Sequence, residues 1–158
     1  MPSKTLAANI SVDGTTCTLA DAITAANTDA TTGSCSAGSG ADTITLTADF
    51  TLNATLPLIA SDITFEGGNH FVSGADTYRI FWVTSGTVTF KNMTIKNGKG
   101  QGGNGGSCGG GAAGLGGGLF VQTGTVVVDT VTFDSNNATG GNGGSGGSGG
   151  GFGGGYGA

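Results

Sequence analysis

Apolar and polar residues alternate in short runs along this chain, and the runs recur. The segment GTVTFKNMTIKNG from Gly86 returns as GTVVVDTVTFDSN from Gly124, an offset of 38 residues. SDITFEGG from Ser61 matches the second half of the same unit, KNMTIKNG from Lys91, at an offset of 30. Because alternation with a period of two is typical of β-strands, we expect three copies of one strand-containing unit.

Each unit is expected to contain a bend. The alternation changes phase by one residue at Asn92 and again at Thr130. Short strands, bends at a fixed phase and insertions at one corner predict a right-handed parallel β-helix, an all-β solenoid in which each strand pairs with its equivalent in the next coil. An antiparallel sandwich is less favoured, because no Asn-Gly or Asp-Gly turn separates paired alternating runs. The apolar residues of the three units are Ile63, Phe65; Val88, Phe90, Met93, Ile95; and Val126, Val128, Val131, Phe133.

Glycine is concentrated in two blocks, residues 98–118 and 140–157, which hold most of the 35 glycines. Both blocks follow a strand unit at the same phase, so we interpret them as loops or a tail at one corner of the coils, not as an interdomain linker. In isolation such loops are expected to be mobile. Ordered polyproline-II-like runs packed side by side are the alternative, and they require hydrogen bonds between neighbouring blocks.

A short capping helix is predicted before the first unit. Thr18 is an N-cap candidate followed by Asp21, and Leu19, Ala22, Ile23 and Ala26 form an apolar stripe. Such a helix would cover the open end of the core. We divide one domain, residues 1–158, into an N-terminal strand and capping helix (1–42) and coils (43–139).

The cysteines are expected to form one disulfide, between Cys17 and Cys35, leaving Cys108 unbonded. Closing a loop of this size would stabilise the fold by roughly 3 kcal/mol in an oxidising compartment. Two buried free thiols are the alternative. A single histidine, His70, and these cysteine spacings do not form a metal-ligand pattern, so no metal or cofactor is expected.

The segment from Cys17 to Ile44 (CTLADAI, AAN, a second cysteine, then GSGADTITL) resembles the cap of bacterial surface β-helix proteins, named for a Cys-Ser-Leu-Arg-Glu-Ala motif. Ala20 and Asp21 replace the Arg and Glu of that motif. GGGLF at 116–120 and FDSN at 133–136 are similar to the paired repeats of polymorphic outer membrane proteins. The resemblance implies an extracellular or cell-surface location and a pectate-lyase-like superfamily fold, which also includes carbohydrate-cleaving enzymes.

Charge excludes some functions and suggests two structural columns. A net charge of −5 with four lysines and one arginine provides no basic patch for nucleic acid, and no apolar run is long enough to span a membrane. The aligned units predict one outward column of Glu66, Lys96 and Asp134 and a second of Lys91 and Asp129. We favour this interpretation over a catalytic pair of carboxylates at Asp129 and Asp134.

Two smaller features leave alternatives. Thr64, Thr94 and Thr132 share an outward phase that could match an ice surface. Trp82 could stack on a sugar, but the aligned Leu119 and Phe120 favour core packing.

The functional prediction is a noncatalytic structural or adhesive surface module. It would self-associate head to tail into fibres, or continue into further coils of the same chain, with a cell-surface or glycan partner. The alternative is the N-terminal part of a carbohydrate-active β-helix enzyme.

Overall fold

The computed structural model describes residues 7–145, and its regular elements are β-strands apart from one short helix. The helix, α1, spans Leu19–Thr28. The eleven strands, in chain order, are β1 Asn9–Val12, β2 Asp42–Leu46, β3 Phe50–Thr51, β4 Ile63–Glu66, β5 Phe71–Ser73, β6 Phe81–Val83, β7 Thr87–Lys96, β8 Lys99–Gln101, β9 Leu119–Val121, β10 Thr125–Asp134 and β11 Asn137–Thr139. The all-β class expected from the alternation is confirmed.

All the paired strands are parallel. The longest ladder runs β1–β2–β4–β7–β10, and β3 and β5 extend it beside the second half of β7. Two smaller sheets pair β6 with β9 and β8 with β11. Strands far apart in sequence are therefore neighbours in space, as stacking of equivalent units requires.

The repeat alignment is confirmed for the last two units and wrong for the first. Thr87 lies opposite Thr125, which is the predicted offset. Ile63, however, pairs with Val88 rather than with Met93, so the first unit is shifted to an offset of 25. The physical reason is that a period of two fits either half of a unit equally well. The second half of the first unit is β5, which follows the segment 67–70; this segment has four residues where β7 has two, so it contains an insertion of two residues.

The predicted bends are present within continuous strands. Asn92 and Thr130 have φ values of 50° and 56°, in the left-handed region, and both are skipped by the pairing register. The residues on either side in β7, Phe90 and Met93, are both buried, so the bend returns the apolar side chains to the same face. Asparagine tolerates this conformation better than most residues.

The core is a stack of apolar side chains inside the ladder. Three phenylalanines form its centre: the ring centroids of Phe65 and Phe90 are 5.0 Å apart, and Phe81 lies 5.1 Å and 4.9 Å from them. Such aromatic pairs contribute about 0.5–1.5 kcal/mol each beyond their burial. Phe65 and Phe90 face each other on the paired strands β4 and β7, and Phe81 of β6 packs against both, so the three rings hold successive units together.

The predicted cap is confirmed. The Thr18 hydroxyl accepts a hydrogen bond from the Asp21 amide at 3.1 Å and begins α1. Leu19 and Ile23 lie in the same buried cluster as Ile10 of β1. The predicted bond between Cys17 and Cys35 is present, and Cys108 is free and exposed.

In the described residues the glycine blocks form extended segments that are joined by hydrogen bonds, not the mobile loops that were expected. Residues 98–106, 109–118 and 136–145 pack side by side, and we call them the glycine bundle. Amides of one segment donate to carbonyls of the next: Gly102 to Thr139, Ala112 to Gly103, and Gly141 to Ala112, each at 2.8 Å. Residues 146–157 of the second block lie outside the described residues.

A repeat of three explains why the bundle is made of glycine. A Cβ added at the glycines that face a neighbouring segment would collide with a backbone carbonyl group. At Gly103 and Gly106 the same Cβ would meet nothing within 4 Å. Three residues per turn is the period of polyproline II, and only glycine fits where such segments meet, as in collagen. The packed glycines with this spacing are Gly102, Gly105; Gly111, Gly114, Gly117; and Gly141, Gly144, while Gly98 and Gly100 are packed in the same way at the two-residue spacing of β8.

Candidate interaction surface

The β10 end of the ladder is uncovered. The side chains of β10 that continue the core, Val128 and Phe133, are 47% and 46% exposed. Their partners in β7, Phe90 and Ile95, are fully buried. Within residues 7–145, β10 pairs with β7 alone, so its other edge presents unpaired backbone groups beside an apolar row. Such an edge is a template for another strand. We call this surface the β10 end.

The register changes the membership of the charge columns. Glu66 lies opposite Lys91, and Lys91 lies opposite Asp129, so these three residues form one outward column. Lys96 lies between Ser73 and Asp134 in the other. The prediction that Glu66 shares a column with Lys96 and Asp134 is wrong, because it used the incorrect offset of the first unit. The alternation of sign along a column is retained.

The column charges do not form close ion pairs. Lys96 Nζ lies 3.5 Å from the centroid of the Phe71 ring, a cation–π contact. Glu66 accepts a hydrogen bond from Asn92 Nδ2 at 2.9 Å, which ties it to the bend above. The charges are therefore neighbours on the ladder surface, where their Coulomb interaction is weak and screened.

A contact between His70 and Asp49 was not predicted. His70 Nδ1 lies 3.1 Å from Asp49 Oδ1, which also accepts a hydrogen bond from the Phe71 amide. That amide bond, with a smaller contribution from His70, holds the pKa of Asp49 below its usual range. The pair joins the insertion of the first unit to the start of β3.

The β10 end has a negative outer rim. Asp129 and Asp134 are the outward charged residues of β10, five positions apart on the two sides of the bend at Thr130. Each hydrogen-bonds the hydroxyl of the next residue, Thr130 at 3.0 Å and Ser135 at 2.8 Å. The next layer below presents Lys91 and Lys96 at the same positions. An apolar row with two carboxylates beside it is thus exposed at this end.

Trp82 lies on the outer surface, so the expectation of core packing is wrong. In β6 the buried residues are Phe81 and Val83, and Trp82 between them faces outward. Trp82 packs edge-on against Phe120 of the paired strand, with ring centroids 5.4 Å apart. Alignment with Phe120 was correct, but both residues occupy the outward phase.

Arg79 covers these two rings and connects them to the glycine bundle. Its guanidinium carbon lies 4.8 Å from the Trp82 ring and 5.2 Å from the Phe120 ring. Its nitrogens donate to the carbonyls of Leu115 and Gly116 at 2.8–3.1 Å. Burial lowers the pKa of the guanidinium. Arg79 therefore links the Trp82–Phe120 pair to the glycine bundle.

Asn136 makes a second connection to the bundle. Its Nδ2 donates to the Ile95 carbonyl, and its Oδ1 accepts from the Gly98 amide, both at 2.8 Å. A Cβ on Gly118 would collide with this side chain. The GGGLF and FDSN segments therefore touch, which the sequence similarity alone did not indicate.

Asp42 and Asp62 share a shallow groove of about 220 Å³ with Thr64, Thr87 and Thr89, and sequence reasoning did not identify Asp42. Asp62 accepts a hydrogen bond from the Thr87 amide at 2.7 Å. Asp42 is buried, and its Oδ1 accepts from the amides of Ser39 and Ala8. Its Oδ2 is buried without a hydrogen-bond partner in residues 7–145. Each carboxylate therefore accepts a hydrogen bond from a backbone amide at or just before the start of a strand, β7 for Asp62 and β1 for Asp42.

The proposed threonine column is also changed by the register. Thr94 and Thr132 are paired, whereas Thr64 pairs with Thr89 and lies beside Thr43. Three threonines do follow one another on β2, β4 and β7, but Val127 replaces the next one on β10. The array from Thr64 through Thr94 to Thr132 is therefore not formed.

Comparisons with known proteins gave no family assignment: no protein-family model, curated protein or solved structure matches the chain. No helix in the described part of the chain is long and apolar enough to cross a membrane. Residues 7–145 also contain no cluster of three or more side chains that could hold a metal ion.

Proposed function

We propose that this chain is a noncatalytic, extracellular module with a right-handed parallel β-helix fold, which serves as a structural or adhesive element at a cell surface. The observation that carries the proposal is the parallel ladder from β1 to β10, with β6–β9 and β8–β11 stacking in step with it. A chain that returns to the same sheet after each crossover is right-handed in nearly all known cases.

The disulfide supports the location. Cys17 and Cys35 join the start of α1 to the segment before β2, and bonds of this kind persist in oxidising compartments. The glycine bundle supports a structural role, because its backbone hydrogen bonds and its contacts with Arg79 and Asn136 make an ordered wall along one corner.

The surroundings of the acidic residues support a noncatalytic function. Asp129 and Asp134 lie opposite lysines in the ladder, while Asp42 and Asp62 accept hydrogen bonds from backbone amides. A glycosidase requires two carboxylates facing one cleft with separate protonation roles. Acids that hold backbone amides have a structural explanation of their own.

Adhesion and catalysis can be tested on the same protein. We expect beads coated with the oxidised chain to adhere to cells or immobilised surface glycans, whereas beads coated with the Cys17→Ser/Cys35→Ser variant adhere less. We expect no cleavage of pectin, polygalacturonate or other uronate polymers, measured as released reducing ends and unsaturated products. Cleavage that disappears in Asp129→Asn/Asp134→Asn or in Asp62→Asn would replace the proposal with the enzyme alternative. Absence of both adhesion and cleavage would refute the adhesive role.

A further inference from the structure

We propose that the β10 end binds one further parallel strand from another polypeptide, and that this strand carries Lys or Arg at the positions facing Asp129 and Asp134. The inference rests on the stacked architecture proposed above, but not on the noncatalytic role. It concerns the end of the ladder and names the partner by its pattern of apolar and cationic residues.

The first step is that the β10 end requires a cover with apolar side chains. Val128 and Phe133 occupy core positions whose equivalents one strand below are fully buried. Val126 and Val131 are partly covered on the same face. A strand added in parallel would place its own alternating apolar residues over these four and pair with the free backbone edge, as in peptide binding by β-augmentation.

The second step is that charge selects the occupant. In the first column the charge alternates in sign from Glu66 to Lys91 to Asp129. The residue of this column on β10, Asp129, is negative. Lys96 and Asp134 end the second column in the same way. Opposite charges on facing positions of paired strands stabilise, and like charges destabilise. A cation at both positions therefore continues the pattern.

A second copy of this chain fits less well in either orientation. Joining two β10 ends about a two-fold axis brings the acidic rows of both copies together. Stacking the other end of a copy on β10 brings α1, whose outer positions include Asp21, Thr24 and Thr28, against the apolar row. The first arrangement opposes like charges, and the second buries polar helix residues against Val128 and Phe133.

The chain itself contains a strand with the required pattern. β7 already faces β10 with Val88, Phe90, Met93 and Ile95 inside and Lys91 and Lys96 outside. A synthetic peptide of residues 86–98, GTVTFKNMTIKNG, is therefore a suitable probe. Its matched control has Asp at both lysine positions and the same apolar residues.

The experiment measures binding of both peptides to the oxidised 158-residue chain by calorimetry at low salt. We expect the lysine peptide to bind about five- to tenfold more tightly than the aspartate peptide, since two exposed cross-strand pairs change from attractive to repulsive. Asp129→Asn/Asp134→Asn should bring the ratio close to one. Asp29→Asn, at the exposed residue that follows α1, should leave it unchanged.

Hydrogen exchange shows where the peptide binds and separates the alternatives. Protection of β10 amides by the lysine peptide supports the proposal. Equal binding of both peptides, no binding, or protection of β1 instead would overturn it. Dimers or filaments of the chain alone in sedimentation, with β10 protected, would identify a second copy as the occupant and also overturn it. None of these outcomes depends on adhesion or cleavage, so failure of the proposed function remains distinguishable.

Discussion

Substitution of glycine by alanine should destabilise the glycine bundle at packed positions but not at exposed ones. In Gly111→Ala, the added Cβ would collide with the carbonyl group of Gly141, a residue whose amide donates to the Ala112 carbonyl at 2.8 Å. In Gly103→Ala the same methyl group meets nothing within 4 Å. Neither glycine has a positive φ, so the two substitutions differ in packing rather than in backbone strain.

The expected difference follows from two opposing contributions. Overpacking costs about 1–3 kcal/mol, and a backbone hydrogen bond weakened by the displacement costs about 0.5–1.5 kcal/mol. Replacing glycine by alanine at a compatible position stabilises by about 0.4–1 kcal/mol, because the unfolded chain loses conformational freedom. Gly111→Ala should therefore be less stable than Gly103→Ala by about 2 kcal/mol or more.

Hydrogen exchange is the appropriate assay, because the bundle can open without unfolding the ladder. We expect the Gly141 amide to exchange roughly 30-fold faster in Gly111→Ala than in Gly103→Ala, since about 1.4 kcal/mol corresponds to a factor of ten. Exchange of the Phe90 amide in β7 should change little. Equal exchange of Gly141 in the two variants would show that the segments are not packed through Gly111.

Three further perturbations test other contacts. Asn136→Ala removes both side-chain hydrogen bonds to the preceding unit and should lower the free energy of unfolding, measured in urea, by about 2 kcal/mol. Asn137→Ala should cost less than half as much, and equal losses in the two variants would contradict this. Reducing the disulfide, or Cys17→Ser/Cys35→Ser, should cost about 2–5 kcal/mol in the same assay, and an unchanged midpoint would show that the cap does not depend on it. The Thr16 hydroxyl is the main cause of the lowered pKa of Asp13, so the ionised carboxylate stabilises the fold above its ordinary pKa of about 4, and this contribution is lost as the pH falls further. In Asp13→Asn the melting temperature should therefore fall less steeply with decreasing pH below about 4. The same pH dependence in the variant and the parent chain would contradict this.

Local signals were sufficient for several elements. The apolar stripe and N-cap of α1 lie within one short segment, so the helix could be predicted without knowledge of its neighbours. The bends at Asn92 and Thr130 appear as a change of phase in a two-residue period. The match between β7 and β10 is long enough to have one register. The pairing of Cys17 with Cys35 was the favoured choice because the third cysteine lies far along the chain.

The first unit shows where the same reasoning fails. SDITFEGG has too few residues to distinguish the two halves of a unit, and the insertion at 67–70 disturbs the spacing that would have decided between them. The charge columns inherited this shift, which is why Glu66 was assigned to Lys96 rather than Lys91. Trp82 was misplaced for a related reason: a three-residue strand shows no alternation from which its inward phase could be read.

The amino-acid sequence by itself determined the strand class, the unit that repeats as β7 and β10, the cap and the disulfide, because each depends on residues close together or on a long match. Only the tertiary structure decided the order of the glycine bundle, the register of β4 and the outward direction of Trp82. Whether a glycine segment is ordered depends on which carbonyl groups lie next to it, and those belong to other segments of the bundle, as in the bonds of Gly102 to Thr139 and of Gly141 to Ala112. Period-two alternation identifies a strand but does not identify its neighbour, and the neighbour determines which side chains meet.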